Sequence, residues 1–165
     1  MEEFLKQLPA LAKDTQKQNK RFFAKLRKKP PAKLDQLMQE LHQDEFSRTD
    51  CLQCANCCKT TGPLFTDRDI ERLAGHFRMK PGKFIDQYLR LDEDQDYVLQ
   101  TLPCPFLGAD NYCSVYDVRP KACREFPHTD RKKFHQISNL TMKNVAICPA
   151  AYNIVEAMKK RLPNY

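Results

Sequence analysis

The sequence of 165 residues has no tryptophan and only four glycines. Scarce glycine, with many Leu, Lys and Gln residues, favours helix over sheet. No apolar run approaches the ~20 residues needed to span a bilayer. The N-terminal stretch MEEFLKQLPALAKD opens with acidic residues and lacks the apolar core of a secretory signal. We therefore expect a cytoplasmic, mainly α-helical protein with no membrane segment.

The net charge of +7 is confined to one end of the chain. Residues 1–33 contain ten Lys or Arg against three acidic residues, which accounts for the whole excess, and the rest of the chain is balanced. A basic arm of this kind would bind nucleic acid or another acidic partner through many salt-sensitive contacts. The alternative is a helix that packs on the body of the protein and exposes a solvated basic face.

Apolar spacing predicts a basic helical arm at residues 1–46 followed by a cysteine-cluster domain at residues 47–165. Within that domain, Thr66 and Asp69 have the spacing of a capping box at the start of a helix. Residues 96–102 form the best strand candidate. Residues 128–144 are polar, and we expect an irregular surface loop there. Pro149 is at a favoured first position for the last helix, which should end before Pro163.

Eight cysteines are the most informative residues of the chain. Cys51, Cys54, Cys57 and Cys58 lie within CLQCANCCKT, and the others are Cys104, Cys113, Cys123 and Cys148. In the cytosol thiols stay reduced, so metal binding is a better explanation than disulfides. A Cys-x2-Cys pair forms the tight turn that brings two sulfurs to one ion. The sequence therefore predicts a metal centre.

The adjacent pair Cys57 and Cys58 sets the expected number of sites. Successive side chains point apart in extended backbone, so we expect the pair to divide between two four-cysteine sites. The alternative is one four-cysteine site that uses one member of the pair, with the other member, Cys57 or Cys58, buried beside it. Two zinc ions fit eight thiolates, and iron or a 4Fe-4S cluster would fit them also.

Basic residues accompany the later cysteines. Arg119, Lys121 and Arg124 flank Cys123 and could offset the negative charge of bound thiolates. Arg119 is next to Pro120 and between two cysteines, so we expect it to be ordered beside the metal ligands.

Four blocks of the sequence, CLQCANCCK, PCPFL, CSVYDVRPKACREFP and CPAA, resemble the YkgJ-type CxxCxxCC family, a zinc- or iron-chelating domain related to flagellin lysine-methylase-like proteins. The resemblance covers residues 51 to about 151. It implies that all eight cysteines are metal ligands. It also implies that Tyr116, Arg119 and Arg124 belong to a supporting block with the pattern Y..RP..CR.F.

These observations predict a mainly α-helical protein with irregular loops that are held together by bound metal. We expect it to bind zinc or iron, with ions that stabilise the fold and serve metal handling or interaction with a partner. The alternatives are an iron–sulfur protein with a redox or enzymatic role, and a nucleic-acid or acidic-partner module using residues 1–33. The chain has no glycine-rich nucleotide loop and no radical-SAM Cys-x3-Cys-x2-Cys spacing, so the sequence leaves enzyme status open and favours a role other than catalysis.

Overall fold

Helices dominate the computed structural model, which describes all residues 1–165 and confirms the mainly α-helical prediction. The helices are α1 Glu2–Lys28, α2 Leu34–Phe46, α3 Cys51–Cys54, α4 Asn56–Thr60, α5 Asp67–His76, α6 Pro81–Tyr88, α7 Lys121–Glu125, α8 Ser138–Asn144 and α9 Pro149–Arg161. The strands are β1 Leu64–Phe65, β2 Leu89–Leu91 and β3 Tyr97–Leu99. Two 3-10 turns lie at Tyr116–Val118 and Phe134–Ile137.

The chain forms two compact units, one made of Met1–Cys51 with Pro127–Tyr165 and the other of Leu52–Phe126. The predicted boundary after residue 46 does not coincide with this division, because α1 and α2 pack on α9 in the first unit. The division into an arm at residues 1–46 and a cysteine-cluster domain at residues 47–165 stays a prediction. None of the helices combines the length and the apolar character required to cross a bilayer.

The first unit is built around the apolar face of α1. Its buried residues recur every three or four positions, which places them on one side of the helix: Leu8, Ala12, Asn19, Phe22, Phe23 and Leu26. Four of them, Ala12, Phe22, Phe23 and Leu26, join buried residues of α2, the 3-10 turn at Phe134–Ile137 and α9 in one core. Pro9 lies inside the helix and removes one of its backbone hydrogen bonds. The helix continues through this position because Leu8 and Ala12, on either side of Pro9, are buried.

The prediction of a surface loop at residues 128–144 is wrong. This segment contains a 3-10 turn and α8, and Phe134, Ile137, Thr141 and Asn144 are buried. Asp35 of α2 anchors the turn, since its carboxylate accepts the backbone N–H groups of residues 133 and 134 at 2.7 and 3.1 Å.

The second unit combines the small sheet with α5 and α6. The antiparallel strand order is β1-β3-β2, and β3 falls where the sequence predicts a strand. Buried side chains from the sheet and helices form its core: Phe65, Ile70, Leu73, Ala74, Phe84, Leu89, Leu99, Phe106 and Val115. The predicted capping box is present, because Thr66 and Asp69 each accept a backbone N–H of the other.

Candidate metal centre

The exposure of the cysteines is unusual. All eight are thiols, and none is buried: Cys51 is exposed and the other seven are partly exposed. A free cysteine that serves only packing is among the most deeply buried of residues. Because none of the eight is fully buried, inert core packing is a poor explanation for them.

The first four cysteines lie on two consecutive short helices. Cys51 and Cys54 begin and end α3, and Cys57 and Cys58 lie in α4. Ala55 joins the helices in the left-handed conformation, with φ 47° and ψ 16°. The Sγ atoms of Cys57 and Cys58 are 4.0 Å apart. The expectation that this pair diverges is wrong, because its backbone is helical and not extended.

Cys104 is connected to the CxxCxxCC segment by a backbone hydrogen bond. Its N–H donates to the carbonyl oxygen of Cys58 at 2.8 Å. The side chain of Cys104 also packs against the core of the second unit. Two cysteines that are 46 positions apart in sequence are thus held side by side.

Cys113 lies across a compact loop from Cys104. Leu107 and Cys113 form an isolated antiparallel bridge, and the N–H of Ser114 donates to the carbonyl of Phe106 at 2.8 Å. The turn between them is closed by Gly108, whose N–H donates to the carbonyl of Tyr112 at 2.7 Å. Cys113 itself packs against the core of the second unit. The loop therefore fixes the backbone of both cysteines.

Cys123 lies in α7, and the segment before it is held by Asp69 and Arg72 of α5. Arg72 donates to the carbonyls of Val118 and Arg119 at 3.1 and 2.9 Å. Asp69 accepts the N–H of Lys121 at 3.0 Å and pairs with Arg72 at 2.6 Å. Sequence analysis assigned Asp69 only to a helix cap and missed Arg72. The capping-box pattern does not predict that α5 also holds the segment at residues 118–121, which is about 50 positions away in sequence.

Four thiols of the second unit interact with one another: Cys58, Cys104, Cys113 and Cys123. In each of the six pairs that these thiols form, a negative charge on one sulfur makes ionisation of the other thiol less favourable. Burial is the main cause that raises the pKa of Cys104 to about 11 and of Cys123 to about 12, and it also raises the pKa of Cys113. The hydrogen bond with Cys57 is the main cause that lowers the pKa of Cys58 to about 7.

Positive charge lies close to the same thiols. The Arg119 guanidinium favours the thiolate forms of Cys113 and Cys123. It is held by the Tyr116 carbonyl at 2.5 Å and stacks 3.8 Å from the centre of the Tyr116 ring. Arg124 donates to the Arg119 carbonyl at 3.0 Å. Arg119 is thus ordered beside two of the predicted ligands, as expected for a group that offsets thiolate charge.

The four remaining cysteines are Cys51, Cys54, Cys57 and Cys148. Cys148 caps the N-terminus of α9, where its Sγ accepts the N–H of Ala151 at 3.4 Å, in agreement with its predicted position. Cys148 and Cys51 belong to the first unit, and Cys54 and Cys57 to the second. No three His, Cys, Asp or Glu side chains lie close enough together to hold a metal ion without moving.

A family model described as "putative zinc- or iron-chelating domain", with the signature CxxCxxCC, matches residues 50–144, more than half of the chain. The chain belongs to this CxxCxxCC family. The match includes seven of the eight cysteines and both arginines beside Cys123. No curated protein and no solved structure matches the chain. Thiolates are good ligands for zinc and for iron, so the residues present fit the family description.

Proposed function

We propose that the protein binds zinc or iron through its cysteines, with two zinc ions as the main form and a structural role for the metal. One observation carries this proposal: eight reduced thiols are present, and none of them is buried. Thiols that serve only to fill a core would be buried. Seven of the eight lie on short helices or irregular segments, which can bring several sulfurs to one ion, and Cys148 caps a longer helix.

A structural role for the metal follows from the construction of the second unit. Its strands are two or three residues long. Its cysteine-bearing segment between β3 and α7 contains no regular element except one 3-10 turn. A zinc site contributes on the order of 10 kcal/mol to folding in small metal-dependent domains. Metal bound to this segment would therefore stabilise it, and would require the reducing conditions of the cytoplasm.

The experiment is anaerobic purification followed by metal analysis and a visible absorption spectrum. Colourless protein with about two zinc ions per chain supports the main form of the proposal. Brown protein that bleaches in air supports the alternative of an iron–sulfur protein with a redox or enzymatic role. Protein that retains neither zinc nor iron, and takes up neither under reducing conditions, contradicts the proposal.

A second candidate function, nucleic-acid binding, is favoured by a groove in the first unit. The groove has a volume of about 530 Å³ and runs along α1 and α9. Lys17, Arg21 and Lys25 line it at intervals of four residues, so they form one row with a spacing of about 6 Å. None of these three forms an ion pair in the structure. Tyr165 lies at the same groove and could stack on a base.

Charge reversal tests this candidate directly. The Arg21→Glu/Lys25→Glu variant should lose binding to a single-stranded oligonucleotide at low salt, since phosphate contacts dominate such affinity. The matched control, Lys80→Glu/Lys83→Glu, makes the same charge change on exposed residues of the second unit. Equal binding by both variants would show that the groove is not the nucleic-acid surface.

A further inference from the structure

The buried face of α1 contains one polar side chain that core packing does not explain. Asn19 is 1% exposed, whereas Ala12 and Phe22 on the same face are apolar. The Oδ1 atom of Asn19 is buried and accepts no hydrogen bond. Nearly all buried polar groups have a partner, and an acceptor without one destabilises the fold. A residue that opposes stability in this way is typical of a binding site.

Thr15, one turn earlier in α1, decides which end of the Asn19 amide lacks a partner. The Thr15 hydroxyl donates to the carbonyl of Leu11 at 2.9 Å, and its oxygen accepts the Asn19 Nδ2 group at 3.4 Å. A hydroxyl has a single proton, so Thr15 cannot also donate to the amide oxygen. The Asn19 Oδ1 atom therefore needs a donor that the protein does not supply.

Asn19 lines a cavity between α1 and the end of α8, and the cavity has a volume of about 210 Å³. One water molecule needs ~30 Å³, and the sites of drug-sized ligands begin near ~300 Å³. Apolar side chains form much of the wall: Ala12, Met142 and Val145. The space therefore suits a small organic molecule with an apolar middle part.

Lys13 and Gln16 define the chemistry of the cavity mouth, which they line from exposed positions of α1. Lys13 forms no ion pair, and no Asp or Glu lines the cavity. A carboxylate is therefore attracted to the mouth. A cationic donor inside would have no counter-charge and would be costly to bury, whereas a hydroxyl group would not.

We propose that this cavity binds a small organic acid that carries a hydroxyl group at the end opposite its carboxylate. The hydroxyl donates to Asn19 Oδ1, and the carboxylate pairs with Lys13, which is six residues, or roughly 9 Å, away along the helix axis. Met142 is unbranched and flexible, so its side chain can move aside for the ligand. The site uses residues of the first unit only and does not depend on the proposed metal binding.

A titration of the full chain with 6-hydroxyhexanoate, followed by heteronuclear NMR, tests the proposal. The Asn19 side-chain amide and the backbone amides of residues 12–19 and 142–146 should shift and reach saturation by roughly 20 mM ligand. Hexanoate lacks the hydroxyl and 1,6-hexanediol lacks the charge, so each should bind at least about fivefold more weakly. Equally tight binding of hexanoate, or shifts that do not saturate, would overturn the proposal in favour of a cavity that holds only water.

Two variants test the named contacts. Asn19→Leu removes the acceptor, so it should abolish saturable binding of 6-hydroxyhexanoate and raise the melting temperature of the ligand-free protein. Lys13→Gln should weaken binding of the acid at least about fivefold and leave 1,6-hexanediol unaffected, since only the acid carries a charge.

Lys160→Gln is the matched control, because it makes the same charge change at an exposed position of α9 that does not line the cavity. Its affinity for 6-hydroxyhexanoate should equal that of the natural protein. Unchanged binding by Asn19→Leu, or an equal loss in Lys13→Gln and Lys160→Gln, would overturn the proposed site.

Discussion

Arg72 and Asp69 form an ion pair of 2.6 Å on one turn of α5, and together they hold the segment that precedes Cys123. Asp69 is almost completely buried, and Arg72 is about one-third exposed. Burial opposes the charge of Asp69, but hydrogen bonds from Thr66, Arg72 and Lys121 outweigh it and lower the carboxyl pKa. The pair is therefore a fixed support for the proposed metal centre rather than a flexible surface contact.

Replacement of Arg72 should loosen this support. Arg72→Met removes the hydrogen bonds to Val118 and Arg119 and leaves the Asp69 carboxylate without its cation. We expect a loss of about 2 kcal/mol in the free energy of unfolding, measured by chemical denaturation. Arg68→Met, at an exposed position of the same helix, is the control and should change little. Equal stability of the two variants would show that the ion pair is not a support.

Asp69 should also make stability depend on pH. Its folded pKa lies below the ordinary value of 3.8, so its contribution is complete above that value and is lost as the pH falls through the folded pKa. Asp69→Asn should therefore be less stable than the natural protein at roughly pH 5 to 7, and this difference should shrink below pH ~4. Asp67→Asn, in the exposed first turn, is the control. A difference that stays constant down to low pH would contradict the assignment.

The thiols of the metal-free protein should differ in reactivity. Cys58 has a pKa of about 7, and Cys123 has a pKa of about 12. Because the thiolate is the nucleophile, limited iodoacetamide near neutral pH should label Cys58 well before Cys123. Cys57→Ala removes the main cause of the low Cys58 pKa and should slow its labelling. Faster labelling of Cys123 than of Cys58 would contradict the described environments.

Removal of metal should affect the two units differently. The first unit has thirteen buried core residues, drawn mainly from helices, whereas the core of the second has nine. Chelation should therefore increase hydrogen exchange in peptides from residues 52–126 more than in α1 and α9. Peptide-resolved exchange with mass spectrometry measures this contrast. A uniform increase, or none in residues 52–126, would contradict a structural role for the metal in the second unit.

Local signals in the sequence predicted much of the fold. The capping box at Thr66 and Asp69, the strand at Tyr97–Leu99 and the helix that begins at Pro149 depend on neighbouring residues, and all three are present. The helix at residues 138–144 was missed because its buried face includes Thr141 and Asn144, which look like surface residues in a sequence. Only the fold reveals that Asn144 donates to the carbonyl of Pro127.

The candidate site was predictable in its chemistry and not in its arrangement. Cysteine spacing predicts thiolate ligands, which stays a prediction, and the charged residues around Cys123 pointed to Arg119, which lies beside Cys113 and Cys123. The links among the segments join residues about 46 positions apart: the N–H of Cys104 donates to the carbonyl of Cys58, and the Arg72 side chain donates to the carbonyl of Arg119. Backbone donors and acceptors are nearly the same at every position, so a sequence pattern does not predict which distant backbone group will accept a hydrogen bond. They become visible only once the chain is folded.

X-ray absorption spectroscopy on anaerobically purified protein is the most direct test of the central claim that the cysteines bind zinc or iron. At the edge of the metal present, the account predicts a nearest shell of sulfur, about four atoms per ion at ~2.3 Å. An additional iron–iron distance would assign the metal to a cluster. A nearest shell of oxygen or nitrogen, or protein that binds neither metal, would contradict the account.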